Sequence, residues 1–147
     1  MGDPRRFEAF ADYVERHWPA RDARIADVAG GNGGLQAALH RLGYSNVLTI
    51  DKRRRFAKSR PMFRYGLFSE DESEHFDLVL GMHPDGATEM IIVYARDHGI
   101  PFAVVPCCSV GKRTDYPLWM GYLERLAGPH EVDLLPIRGR NLVIRPV

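Results

Sequence analysis

Residues 24 to 51, RIADVAGGNGGLQAALHRLGYSNVLTID, constrain the chain more than any other stretch. Apolar positions around Ile25, Ala26 and Val28 form a short buried-strand pattern. It runs into a glycine-dense turn, Gly30-Gly31-Asn32-Gly33-Gly34. Leu35, Ala38, Leu39 and Leu42 then follow at helical spacing, with Gly43 as a helix C-cap. Val47-Leu48-Thr49-Ile50 is a second strand and ends at Asp51. Few folds take strand, glycine turn, helix, strand and acid in that order.

The physics of such a unit is specific. Glycines let the backbone turn sharply and let a ligand approach without meeting Cβ atoms. The helix N-terminus offers free N–H groups and a positive partial charge. An acid at the end of the second strand can accept hydrogen bonds from a ribose diol. The unit predicts a nucleoside-containing ligand at the carboxyl ends of parallel strands.

Two alignments of the turn are possible. Against the dinucleotide fingerprint G-x-G-x-x-G, the best fit is Ala29-x-Gly31-x-x-Gly34, which lacks the first glycine. The other reads Asp27-Val28-Ala29-Gly30-Gly31-Asn32-Gly33-Gly34-Leu35 as acid-hydrophobic-G-x-G-x-G-x-L, with Ala29 in the first glycine position. This resembles motif I of the class I S-adenosylmethionine-dependent methyltransferases. The resemblance implies that Asp27 and the turn Ala29, Gly30, Gly31, Asn32 and Gly33 hold the methionine end, and that Asp51 holds the ribose hydroxyls. It also implies that Lys52, Phe68 and Met82 complete the cofactor site, with Phe68 beside the adenine.

With 147 residues the chain suffices for one domain with a real core and is short for two. Its 45% apolar and 27% charged residues are those of a globular protein. The formal net charge of +1 names no partner. No apolar run reaches the length of a membrane span, and MGDPRRFEAF lacks an apolar signal-peptide core. The two cysteines, Cys107 and Cys108, are adjacent and read as reduced thiols, so a cytoplasmic location is expected.

Residues 3 to 18 read as a helix, with Asp3 as cap, Pro4 in the first turn, and Phe7, Phe10, Val14 and Trp18 along one stripe. After Asp51, residues 52 to 64 hold seven basic residues, several apolar or aromatic ones and no acid. Such a patch attracts phosphates and points to RNA, contacted from Lys52 to Arg64 with Arg53 and Arg54 foremost. The alternative is a solvated face balanced by Glu70, Asp71, Glu72, Glu74 and Asp77. A weak third strand lies around residues 62 to 68.

Residues 76 to 82 form a clear strand, followed by His83-Pro84-Asp85-Gly86. The resemblance makes this motif IV, beside the transferred methyl group, with His83 and Asp85 toward the substrate. A histidine there can act as a general base. Asp85 also suits the cap of a helix over residues 87 to 97, whose Met90, Ile91, Tyr94 and Ala95 have core spacing.

Residues 102 to 105 are a fifth strand, ending in Pro106-Cys107-Cys108. A nucleophilic thiolate, a soft metal site, a substrate wall or buried small hydrophobes are the options for the pair, and adjacent cysteines lack zinc-knuckle spacing. No metal is expected. A strand followed by Pro-Cys-Cys is similar to a tRNA ribose 2′-O-methyltransferase branch of the same class, although Ser109 and Val110 stand where that branch has histidines. Lys112 and Arg113 lie in the next loop as candidate phosphate or carboxylate contacts.

A helix over residues 117 to 127, with Leu118, Tyr122, Leu123 and Leu126 inward, precedes two strands at 131 to 137 and 141 to 145 joined by Arg138-Gly139-Arg140. That is an antiparallel hairpin. The resemblance then implies a single α/β domain over residues 1–147: a Rossmann-like, doubly wound, mostly parallel sheet of order 3-2-1-4-5-7-6 closed by the hairpin. The expected activity is methyl transfer from S-adenosylmethionine, leaving S-adenosylhomocysteine, with RNA, tRNA foremost, as acceptor. With no separate substrate domain, a homodimer or partner subunit is a candidate for acceptor recognition. The competing classes are a non-catalytic or partner-dependent S-adenosylmethionine-binding subunit and a nicotinamide dinucleotide-binding oxidoreductase domain.

Overall fold

The computed structural model describes residues 2–56, 62–107 and 115–147. Strand β1 (Ile25–Val28) pairs in parallel with β2 (Val47–Asp51), Ile25 opposite Val47 and Val28 opposite Ile50. Strand β3 (Phe63–Tyr65) extends the sheet beyond β2, with Tyr65 opposite Asp51. On the other side of β1 lie β4 (Leu78–Met82) and β5 (Phe102–Val105), both parallel. β7 (Leu142–Pro146) runs antiparallel to β5, and β6 (His130–Leu134) forms the far edge. The order is β3-β2-β1-β4-β5-β7-β6, as expected. It reverses between β1 and β4, and a crevice opens at such a switch point outside the carboxyl ends of the strands.

Alternation along the strands builds two cores. Ile25, Leu78, Leu80, Ala103 and Val105 face helices α1 (Arg6–His17) and α2 (Gly34–Arg41). Ala26, Val28, Val79, Phe102 and Val104 face α3 (Thr88–His98) and α4 (Tyr116–Ala127). Strands covered on both faces read as near-continuous apolar runs, which is why β1, β4 and β5 stand out in the sequence. Gln36 on α2 donates to the carbonyls of Val47 (2.9 Å) and Met62 (2.7 Å), fixing the helix over β2.

Several expectations need correction. Asp3 does not cap α1, which starts at Arg6 with no side-chain cap. Its buried carboxylate accepts from the Arg5 N–H and guanidinium and from the Arg138 N–H at 3.1 Å, tying the chain start to the β6–β7 link. Nor does Asp85 cap α3. A 3-10 turn, Asp85–Ala87, intervenes, and the Thr88 hydroxyl donates to the Asp85 carbonyl at 2.9 Å. Asp115 caps α4, accepting from the Leu118 N–H, which sets the phase so that Leu118 is 69% exposed while Trp119 and Met120 are buried. β3 ends at Tyr65, before Phe68, and β4 starts only at Leu78. The β6–β7 link is longer than Arg138-Gly139-Arg140. Pro136 has no N–H for the ladder, and Leu135 and Ile137 turn inward to join the α1-side core.

Candidate functional site

The glycine turn sits at the carboxyl end of β1. Ala29 (φ 57°), Gly31 (φ 56°) and Gly33 (φ 81°) are left-handed, and the Ala29 N–H donates to the Ile50 carbonyl at 2.7 Å. The glycines divide by what faces them. A Cβ on Gly30 would lie 2.2 Å from Asp27 Oδ2 and 2.6 Å from its Cγ. One on Gly34 would lie 2.5 Å from the Phe7 ring of α1. Both positions are thus emptied by the protein's own interior, whereas a Cβ on Gly31 would meet only ordinary contacts, 3.5 Å from Arg53 Nη2 and 3.8 Å from the Phe56 ring. Asp27 is buried beneath the turn, its Oδ2 accepting from the Thr49 hydroxyl at 2.9 Å. Strand alternation puts it on the α2 side with Ile25, where its carboxylate buttresses the turn.

Asp51 ends β2 and is only 2% exposed. Its Oδ2 accepts from the Gly31 N–H and Arg53 Nη2, each at 2.8 Å. Its Oδ1 accepts from the Arg53 N–H and Nε, also at 2.8 Å. Burial pushes the Asp51 carboxyl up, but these hydrogen bonds outweigh it and hold the group below the usual carboxylate value.

Beside Asp51 lies a cavity of about 310 Å³. Its walls come from the ends of β1 and β2 (Val28, Ala29, Ile50, Asp51, Lys52, Arg53), from the segment after β3 (Gly66, Leu67, Phe68), and from the β4–α3 turn with Met90 (Pro84, Asp85, Gly86, Ala87). Of the expected cofactor residues, Ala29, Asp51, Lys52 and Phe68 line it. Asp27, Gly30, Gly31, Asn32 and Gly33 are not among its walls, and Met82 is buried in the α1-side core. Met90, read as core, lines the cavity because it sits one turn inside α3, facing the crevice. Gly66, Leu67 and Pro84 were not singled out from the sequence, and no motif marks them.

The β4–α3 turn is strained at two non-glycine residues, His83 and Asp85, each at φ 51°. The His83 N–H donates to the Val105 carbonyl at 3.0 Å. Its Nε2 lies 2.9 Å from the Arg140 carbonyl, which can only accept, so Nε2 carries the proton and Nδ1 is the basic nitrogen. Asp85 lines the cavity and takes a hydrogen bond from the Cys107 thiol at 3.1 Å. His83 and Cys107 are not part of the cavity wall. Cys108, Lys112 and Arg113 lie outside the described residues. Two neighbours were missed by sequence reasoning: Tyr116, whose buried hydroxyl has no partner among the described residues, and Arg140, whose guanidinium lies 3.8 Å over the Tyr116 ring. Burial pushes the Tyr116 phenol up.

The basic stretch divides in the same way. Arg53 is taken by Asp51, and Arg64 by Glu72 and, at 3.8 Å, Glu74. Of the acidic run, Asp77 accepts from the Arg24 N–H, and Glu74 also pairs with the Arg24 guanidinium. Arg54 lies 5.0 Å over the exposed Tyr65 ring and Arg55 4.8 Å over Phe56. Lys52, Arg54 and Arg55 are exposed, and among the described residues no ion pair takes them up. Lys58 and Arg60 lie outside the described residues.

No protein-family model and no curated protein matches the chain. Solved structures do match it. The magnesium protoporphyrin IX methyltransferase from Synechocystis PCC 6803 with bound S-adenosylmethionine is similar over 95% of this chain and 78% of its own, at TM-score 0.65 and 13% identity. The glycopeptide N-methyltransferase MtfA, also with S-adenosylmethionine, is similar over 94% and 92%, at TM-score 0.67 and 10% identity. The sugar N-methyltransferase KedS8 from Streptoalloteichus is similar over 96% and 87%, at TM-score 0.62 and 18% identity. Against Streptomyces venezuelae DesVI the chain spans only 59% of the other protein's length. The chain has the class I methyltransferase fold.

Proposed function

We propose that the chain is a methyltransferase that holds S-adenosylmethionine in the cavity between β1, β2 and the β4–α3 turn. The observation that carries this reading is Asp51, a buried acceptor at the end of β2, hydrogen-bonded to the Gly31 N–H of the glycine turn and bordering the cavity. The residues fit the cofactor. The volume suffices for a nucleoside. Asp51 suits the ribose diol, Phe68 and Leu67 offer apolar surface to a base, and Ala29 brings the start of the glycine turn to the cavity wall for the methionine end.

Bound there, the cofactor supplies a methyl group on a cationic sulfur, which an oxygen or nitrogen of the acceptor attacks in line with the departing sulfur. The protein's work is mostly positioning. Asp85 faces the cavity and orients the acceptor. His83, hydrogen-bonded to the hairpin through Nε2, offers Nδ1 as a base when the acceptor must lose a proton.

RNA is the proposed acceptor. The similar structures bear the names of porphyrin, glycopeptide and sugar methyltransferases, so they lend this choice no support. Its support is the cluster of Lys52, Arg54 and Arg55 with Tyr65 and Phe56 beside the cavity mouth. Cations interleaved with the exposed Tyr65 ring and the partly exposed Phe56 ring suit phosphate and base together. The test is incubation with methyl-labelled S-adenosylmethionine and total tRNA. Nuclease-sensitive label is expected, and no label in RNA under conditions where the cofactor binds refutes the acceptor.

A further inference from the structure

The ribose acceptor assigned above is already occupied by the protein itself. Both oxygens of Asp51 are bound to the Arg53 guanidinium in a fork, and the two backbone N–H donors take the remaining positions. A carboxylate has about four lone-pair sites, so no acceptor is left for a diol. The backbone donors are fixed by the turn and cannot leave. The guanidinium can: the Arg53 side chain is 40% exposed, against 1% for the Asp51 side chain. It borders the cavity and lies 4.7 Å over the Phe56 ring, in the field of Asp85 across the cavity. Its neighbours at the mouth are Lys52, Arg54 and Arg55, the cluster proposed to meet RNA.

We infer that Arg53 is a latch on the nucleoside site: the ribose diol displaces its guanidinium from Asp51, and the released side chain then binds a phosphate of the RNA acceptor. The inference rests on the proposed cofactor and acceptor. Its consequence is reciprocal coupling. Without cofactor, one cation of the patch is neutralised by Asp51. With cofactor the patch gains that cation, so cofactor and RNA strengthen each other's binding by the same factor. Cofactor affinity alone is held down, because displacing the fork comes out of the binding free energy.

The test uses the wild-type chain, Arg53→Met, which keeps an apolar stem over Phe56, and Arg53→Lys, which keeps the charge but loses the fork. S-adenosylhomocysteine is the probe because it carries no net charge, so any gain in RNA affinity does not come from the ligand's own charge. Calorimetry should show Arg53→Met binding it several-fold more tightly than wild type. Fluorescence anisotropy with labelled tRNA should show saturating S-adenosylhomocysteine raising wild-type RNA affinity about fivefold or more, the scale of ordinary coupling. Arg53→Met should lose that gain and Arg53→Lys retain part of it. Unchanged or weaker cofactor binding by Arg53→Met, or wild-type RNA affinity that ignores the cofactor, overturns the latch while leaving the cofactor reading intact. Wild type and Arg53→Met both failing to bind S-adenosylhomocysteine refutes the cofactor reading, and the latch with it.

Discussion

Replacing Gly30 by alanine tests the structure of the turn most sharply. The added methyl carbon would stand 2.2 Å from Asp27 Oδ2, 2.6 Å from Cγ and 2.7 Å from Oδ1, so it meets the whole carboxyl group rather than the tip of a flexible chain. Asp27 is buried and held by the Thr49 hydroxyl at 2.9 Å. Overpacking a rigid site costs about 1–3 kcal/mol. Pushing the carboxylate off its hydroxyl adds about 1–3 kcal/mol for a buried acceptor left unsatisfied. The expected loss is roughly 3–5 kcal/mol, or about 10–15 °C in Tm for a chain of this size. Urea unfolding of Gly30→Ala, Asp27→Ala and the double variant measures it. Because Asp27→Ala removes the obstacle, the double variant should be more stable than the sum of the singles by at least about 1 kcal/mol. Gly86→Ala is the control, with open space where its Cβ would go. Gly30→Ala within about 1 kcal/mol of wild type, or an additive cycle, refutes the buttress.

One residue earlier the expectation reverses. Ala29 is left-handed at φ 57°, so Ala29→Gly relieves about 1 kcal/mol of strain, partly offset by the freer unfolded chain, and should unfold at the same or a slightly higher urea midpoint. Asp51→Asn should weaken S-adenosylhomocysteine binding by about 1.5–3 kcal/mol, the scale of hydrogen bonds to a charged group, read by calorimetry. Because the folded Asp51 carboxyl lies below its ordinary 3.8, its contribution is present above that pH and is lost as pH falls through the lower folded value; Asp51→Asn should flatten that acid limb. His130 titrates the other way. The Gly128 carbonyl at 2.7 Å and the Glu124 carboxylate at 2.9 Å both require a ring N–H, which raises it above 6.5. Its contribution is full below pH 6.5 and is lost as pH rises through the folded value, so His130→Gln should remove a small decline in stability on that side.

The central strands were legible because each buried strand announces itself as an apolar run and the hairpin closes the sheet; their order came from the resemblance carried by the glycine turn. The acid at the end of β2 was legible from its distance to the glycine turn. The reason for the glycines was not. Sequence reasoning assigned them to ligand approach, yet Gly30 and Gly34 are required by Asp27 and Phe7, contacts between segments that no local pattern reveals. The Asp51–Arg53 fork escaped for another reason: it joins two residues read into different sites, one for the cofactor and one for RNA. Tyr116 and Arg140 come from a helix start and a hairpin distant in sequence, and only the folded chain stacks them.

Parallel calorimetric titrations with S-adenosylmethionine, S-adenosylhomocysteine and NAD test the central claim most directly. The account predicts binding on the order of micromolar for the first two and none for NAD. Binding of NAD alone would contradict it, because the crevice at β1 and β4 would then serve a dinucleotide and the assignment of the turn would fail.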